Sequence, residues 1–95
     1  MGVIFNIVYH ELVVKNDLPK LSTDNKRKIK KSIEEKLTTS PELFGKPLRR
    51  SLKGHRRLRV GDYRVVYRVE GKTVKVFYIG HRSVVYEKMS RQDFI

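Results

Sequence analysis

Arginine crowds one stretch of this chain, with Arg56, Arg57, Arg59, Arg64 and Arg68 on either side of a Gly61-Asp62 pair. Two such residues between runs rich in Val and Tyr signal a two-residue hairpin. With Gly61-Asp62 as its tip, Val60 faces Tyr63, Arg59 faces Arg64, Leu58 faces Val65, Arg57 faces Val66 and His55 faces Arg68. Alternation then gathers Leu58, Val60, Tyr63, Val65, Tyr67 and Val69 on a core face, and His55, Arg57, Arg59, Arg64 and Arg68 on the other. Like charges set opposite one another destabilise a sheet, so the Arg59 and Arg64 pair makes sense around an anion. Guanidinium forks match phosphate oxygens, and several together can stabilise the extra negative charge of a pentacoordinate phosphorus. Long arginine side chains splayed into solvent fit the same spacing equally well.

Other chemistries find less support. The acidic residues are scattered, so no carboxylate cluster suggests a two-metal nuclease, and no glycine-rich phosphate loop precedes a helix. The absence of cysteine excludes a disulfide framework and any thiolate metal site. No metal and no cofactor is expected. The formal net charge is +12, from 22 Lys plus Arg against 10 Asp plus Glu, which suits a polyanionic partner. Small proteins are also basic for solvation or stability, so charge narrows the partners and not the reaction.

The elements that must position these residues follow from period and breakers. The chain of 95 residues suits a single domain, 1–95, with one modest core. Val3 to Tyr9 reads as a first strand. A short helix from about Glu11 is interrupted at Pro19, and a second begins near Ser22 or Thr23, where either hydroxyl can cap an amide and Asp24 faces the positive end of the dipole. Ile29, Ile33 and Leu37 form its apolar stripe beside Lys26, Arg27, Lys28, Lys30 and Lys31. Pro41 and Gly45 stop it, and Ser40 to Pro47 reads as a loop. From Leu52 the period is two, with strands near Arg56 to Val60, Tyr63 to Val69 and Thr73 to Ile79 separated by Gly61-Asp62 and Glu70-Gly71. A short C-terminal helix or turn follows from about Val84. The expected fold is α+β: an antiparallel-dominated sheet of about four strands in β-α-α-β-β-β order, with the helices on one face. In an unbroken strand from Thr73, Arg82 would share the core parity of Val74, Val76 and Tyr78. The opening Val3 to Val14 is too short to span a bilayer and has no signal-peptide cleavage pattern, so a cytoplasmic protein without membrane contact is expected.

Leu52-Lys53-Gly54, the run Arg57-Leu58-Arg59-Val60-Gly61-Asp62-Tyr63-Arg64-Val65-Val66-Tyr67, and Gly80-His81-Arg82 with Val85-Tyr86 resemble the RelE branch of the RelE/ParE superfamily of type II toxins. The resemblance extends over nearly the whole chain. It implies ribosome-dependent cleavage of messenger RNA in the A site, without metal, by attack of a ribose 2′-hydroxyl on the adjacent phosphate. It further implies that Arg64 stabilises the phosphate, that Arg82 is a second catalytic arginine, and that Tyr86 stacks on a base or orients the hydroxyl. A basic pair before the hairpin, lysines in the best-known member, falls here on His55 and Arg57. Arginine hardly gives up its proton, so Arg57 can stabilise charge but is a poor general base. His81, His55 and Tyr86 are then the candidates for that role, with packing as the ordinary alternative for each.

Lys53, Arg56, Arg59, Arg68, Lys26, Arg27 and Lys30 complete the expected RNA-binding surface. The partners implied are messenger and ribosomal RNA and a cognate antitoxin whose segment neutralises the basic face, the toxin alone being a monomer. Two alternatives share the fold: a ParE-like, non-enzymatic poison of DNA gyrase, and an inactive RNA-binding member.

Overall fold

The computed structural model describes residues 4–48 and 54–85. A mixed five-stranded sheet has the order β1-β5-β4-β3-β2, made of β1 (Asn6–Tyr9), β2 (Lys46–Pro47), β3 (His55–Val60), β4 (Tyr63–Glu70) and β5 (Thr73–His81). The expected α+β class holds, and the four-strand count does not. β1 lies parallel to β5, with Asn6 paired to Thr73 and Tyr9 to Val76. The short β2 pairs antiparallel with β3. It falls within the stretch expected to be a loop, as does the helix α2 (Pro41–Phe44), where Pro41 sits at the helix start, the position that tolerates a missing amide.

The first helical segment spans residues 11–20 and tightens into a 3-10 turn, Leu18–Lys20, around Pro19. Helix α1 (Thr23–Ser32) starts at Ser22, whose Oγ accepts from the Asn25 amide, as the sequence predicts. It continues through a wider turn, Ile33–Leu37. The stripe Ile29, Ile33 and Leu37 is buried against Leu58, Val65, Tyr67, Val74 and Val76 of the sheet. These contacts supply the main core, since burying an aliphatic side chain stabilises by about 1.5–3 kcal/mol.

The predicted hairpin register holds at every rung from His55↔Arg68 to Val60↔Tyr63, with Gly61 in the left-handed region at φ +58°. The next hairpin turns on Gly71-Lys72, one residue later than expected, with Glu70 paired to Thr73. The parity expected along β5 fails at a β-bulge. Val66 pairs with Tyr78 but Tyr67 with Val76, leaving Phe77 as the extra residue. Val76 and Ile79 therefore face the helices, whereas Tyr78 joins Val66 and Val85 in a second, smaller cluster flanked by Leu48 and Phe77. The face expected to be a cationic plate thus has an apolar centre. Beyond β5 the chain turns at residues 82–84, with the Val84 amide donating to the His81 carbonyl at 3.1 Å. The expected C-terminal helix lies largely outside the described residues.

Candidate nucleic-acid interface

The tip of the β3–β4 hairpin and the end of β5 meet at one end of the sheet. Arg59 is paired across β3 and β4 with Arg64, and Arg64 across β4 and β5 with Gly80. Past β5 the Arg82 amide donates to the Asp62 carbonyl at 2.8 Å, and Arg82 Nε lies 3.9 Å from Asp62 Oδ1. This fastening, rather than strand parity, carries Arg82 to the side of Arg64. An open hollow of about 440 Å³ results, lined by Arg57, Arg64, His81, Arg82, Ser83 and Val85.

Arg64 Nη1 donates to the carbonyls of Gly61 at 3.0 Å and Tyr63 at 2.9 Å, so the turn orients its guanidinium. Partial burial, then the charges of Arg59, Arg57 and Arg82, hold its pKa below the ordinary arginine value, with Asp62 opposing. These guanidinium groups therefore share one field. Their mutual repulsion falls when an anion sits among them.

His81 is exposed. Its Nδ1 accepts from the Ser83 amide at 3.1 Å and lies 2.8 Å from Ser83 Oγ. A nitrogen that accepts holds its lone pair, so the neutral ring carries its proton on Nε2. His55 sits elsewhere: it is only 4% exposed, packed edge-on against Phe77 at 5.0 Å, and is not among the residues lining the hollow. His55 keeps the expected place opposite Arg68, but its burial under Phe77 favours the packing alternative. The neighbouring Phe77 emerges from the bulge, which no period in the sequence announces.

Of the other residues expected to meet RNA, Arg59 is exposed beside Arg64. Arg56 points a guanidinium into the protein, donating to the Gly45 carbonyl at 2.9 Å. Arg68 lies four residues along β4 from Arg64, roughly 13 Å at the usual strand rise, and its Nε is 3.7 Å from Glu70 Oε2. Neither joins the hollow. Lys26, Arg27 and Lys30 are exposed on α1, with Arg27 3.9 Å from Asp24 and Lys30 3.9 Å from Glu34. Lys53 and Tyr86 lie outside the described residues.

The sequence pattern assigned Tyr63 to the core, left Lys28 on the basic face of the helix without a site role, and gave no role to Asn25. The structure places all three around a second hollow that shares His81 with the first. The signal available was helical spacing, because Asn25 and Lys28 precede the buried Ile29 by four and one residues and so flank the packed stripe. Among the described residues no group of three or more His, Cys, Asp or Glu could hold a metal ion, and no helix is long and apolar enough to cross a membrane.

Comparison with known proteins agrees with this architecture. The toxin RelE of Mycobacterium tuberculosis is 42% identical over 52 residues, 53% of this chain and 54% of that protein. The chain thus spans about half the length of the curated relatives it matches. A chain of the toxin–antitoxin complex RelBE2 from the same organism superposes with a TM-score of 0.79 at 30% identity, covering 85% of this chain and 94% of that one. The RelB–RelE antitoxin–toxin complex of Methanococcus jannaschii gives a TM-score of 0.66 at 26% identity, with 85% and 96% covered. The profile described as "ParE toxin of type II toxin-antitoxin system, parDE" matches residues 9–86. The chain belongs to that family, within the RelE/ParE superfamily.

Proposed function

We propose that this toxin is a messenger RNA endoribonuclease that acts in the ribosomal A site and arrests translation. The observation that carries the reading is the gathering of Arg57, Arg64 and Arg82 around one hollow, with Arg59 beside them and the Arg64 pKa lowered by partial burial and then by these neighbours. Such a cluster is an unfavourable way to build a sheet edge and a favourable way to hold a phosphate whose charge increases during reaction. In the step proposed, a ribose 2′-oxygen attacks the adjacent phosphorus as its proton passes to a base. The bond from phosphorus to the 5′-oxygen breaks, and that oxygen takes up a proton. The products are a 2′,3′-cyclic phosphate and a 5′-hydroxyl end.

Arg64 and Arg82 stabilise the pentacoordinate intermediate, and Arg57 adds charge without exchanging a proton. The Nε2–H of His81 donates a hydrogen bond to a phosphate or leaving oxygen, a better match to its tautomer than the role of base. Tyr86 remains the proposed base or stacking residue. The reading uses no cofactor. A cognate antitoxin as partner is supported by relatives solved as toxin–antitoxin complexes.

A match to a family described by its ParE toxin supports a second reading, a gyrase poison without nuclease chemistry. Induction of the wild type and of Arg64→Ala in a host without antitoxin separates the two. New in-frame cuts in messages and arrested synthesis, both lost in the variant, are the expected result. Continued synthesis with accumulating DNA breaks would overturn the nuclease in favour of the gyrase reading.

A further inference from the structure

Tyr63 and His81 are the last cross-strand pair between β4 and β5, with ring centroids 5.6 Å apart and planes at 85°. Each ring is held by a second contact. Asn25 Nδ2 on α1 donates to Tyr63 Oη at 3.2 Å, and the Ser83 amide holds His81 Nδ1. Beside them is a hollow of about 390 Å³ whose walls include Asn25, Lys28, Gly61, Asp62, Tyr63 and His81. His81 also lines the arginine hollow, so its ring is a shared wall. Because successive strand residues point to opposite faces, Tyr63 and Arg64 stand on the two sides of the sheet end, about one strand residue apart.

We propose that this second hollow is a nucleobase subsite for single-stranded RNA, resting on the phosphate-binding reading of the arginine hollow. A base flanking the reacting phosphate stacks on the Tyr63 ring with the His81 ring standing perpendicular beside it, and Lys28 meets the next phosphate beyond it. The chemistry fits a chain crossing the end of the sheet. Aromatic faces accept any base, cations track the backbone, and single-stranded RNA is recognised through bases splayed from their stack. Fixing both rings beforehand also lowers the ordering cost of binding. The phosphate chemistry itself does not call for a tyrosine at residue 63, partly buried and tied to α1.

The test uses the whole chain without antitoxin and 2′-deoxy trinucleotides, which lack the attacking hydroxyl, with 2-aminopurine at each position in turn. One position should be quenched strongly on binding. That quenching should fall severalfold in Tyr63→Leu and persist in Tyr63→Phe. Removing the base at that position, a change that leaves the protein untouched, should weaken binding roughly tenfold. Binding that Arg64→Ala abolishes, but that neither the missing base nor Tyr63→Leu alters, would overturn the subsite while sparing the phosphate site. Binding that is absent, or indifferent to Arg64→Ala, would overturn both.

Discussion

Gly80 stands directly across from Arg64, and the Tyr78 side chain occupies the space a side chain at residue 80 would need, because a Cβ there would collide with Tyr78 Oη. The glycine lets Tyr78 lie buried along β5 beside the rung that carries Arg64. Gly80→Val should therefore cost about 1–3 kcal/mol as overpacking, and should also weaken translation arrest. Urea denaturation checks the first effect and induced protein synthesis the second. Adding Tyr78→Ala should recover part of the loss, and additive penalties would contradict the contact.

Arg64→Lys tests whether the site needs a fork or only a charge. Two turn carbonyls orient the guanidinium, and lysine cannot reproduce its planar geometry. On the proposed nuclease reading, message cleavage on ribosomes should drop on the order of 100-fold, while stability shifts by no more than ~0.5 kcal/mol because the residue lies at the rim. Full activity in the lysine variant would reduce the role of Arg64 to general charge.

Tyr67 Oη donates to the Pro41 carbonyl at 2.5 Å, and burial pushes its pKa up to about 12, partly offset by Arg56 and the Gly45 backbone. A phenol with a raised folded pKa contributes stability that is fully present below its unfolded value near 10. That contribution declines as the unfolded form ionises and is gone once pH passes the folded value. Stability should therefore fall by roughly 1–3 kcal/mol between pH 10 and 12. Tyr67→Phe should be less stable at neutral pH by about 1 kcal/mol and lose this part of the alkaline slope. Identical slopes in the two proteins would contradict the assignment.

Asp17, buried at the end of the first helical segment, accepts the Ile79 amide at 3.0 Å. Strand β1 pairs with β5 only from Asn6 to Tyr9, so the carboxylate satisfies an amide beyond the reach of β1. Asp17→Ala should cost about 1–3 kcal/mol by stranding that donor. It should also speed hydrogen exchange at Ile79 more than at Val65 across the sheet. Equal acceleration at both amides would indicate a general loss of stability.

The hairpin was legible because a two-residue tip fixes every rung behind it, from Val60↔Tyr63 to His55↔Arg68. Helix α1 was legible because Ser22 and the Ile29, Ile33, Leu37 stripe are local signals. The bulge at Phe77 and the parallel pairing of β1 depend on contacts remote in sequence, so alternation along Thr73 to His81 misassigned Tyr78. The burial of His55 was hidden for a related reason. Strand parity gives the face but not the cover, and Phe77 packs over that position. Within the site, Arg64 was read from the hairpin, and Arg82 rested on resemblance alone until the Asp62 link appeared.

The parallel rung between Asn6 and Thr73 also sets an order of assembly. The β3–β4 and β4–β5 hairpins need only short closures, whereas β1 must wait for β5 across most of the chain. We expect the arginine-bearing hairpins to nucleate folding, with β1 docking late. Conservative substitutions in β4 should then slow folding, while those in β1, such as Ile7→Val, should chiefly speed unfolding. On this route the strands that carry the arginines pair with one another before the edge strand closes the sheet.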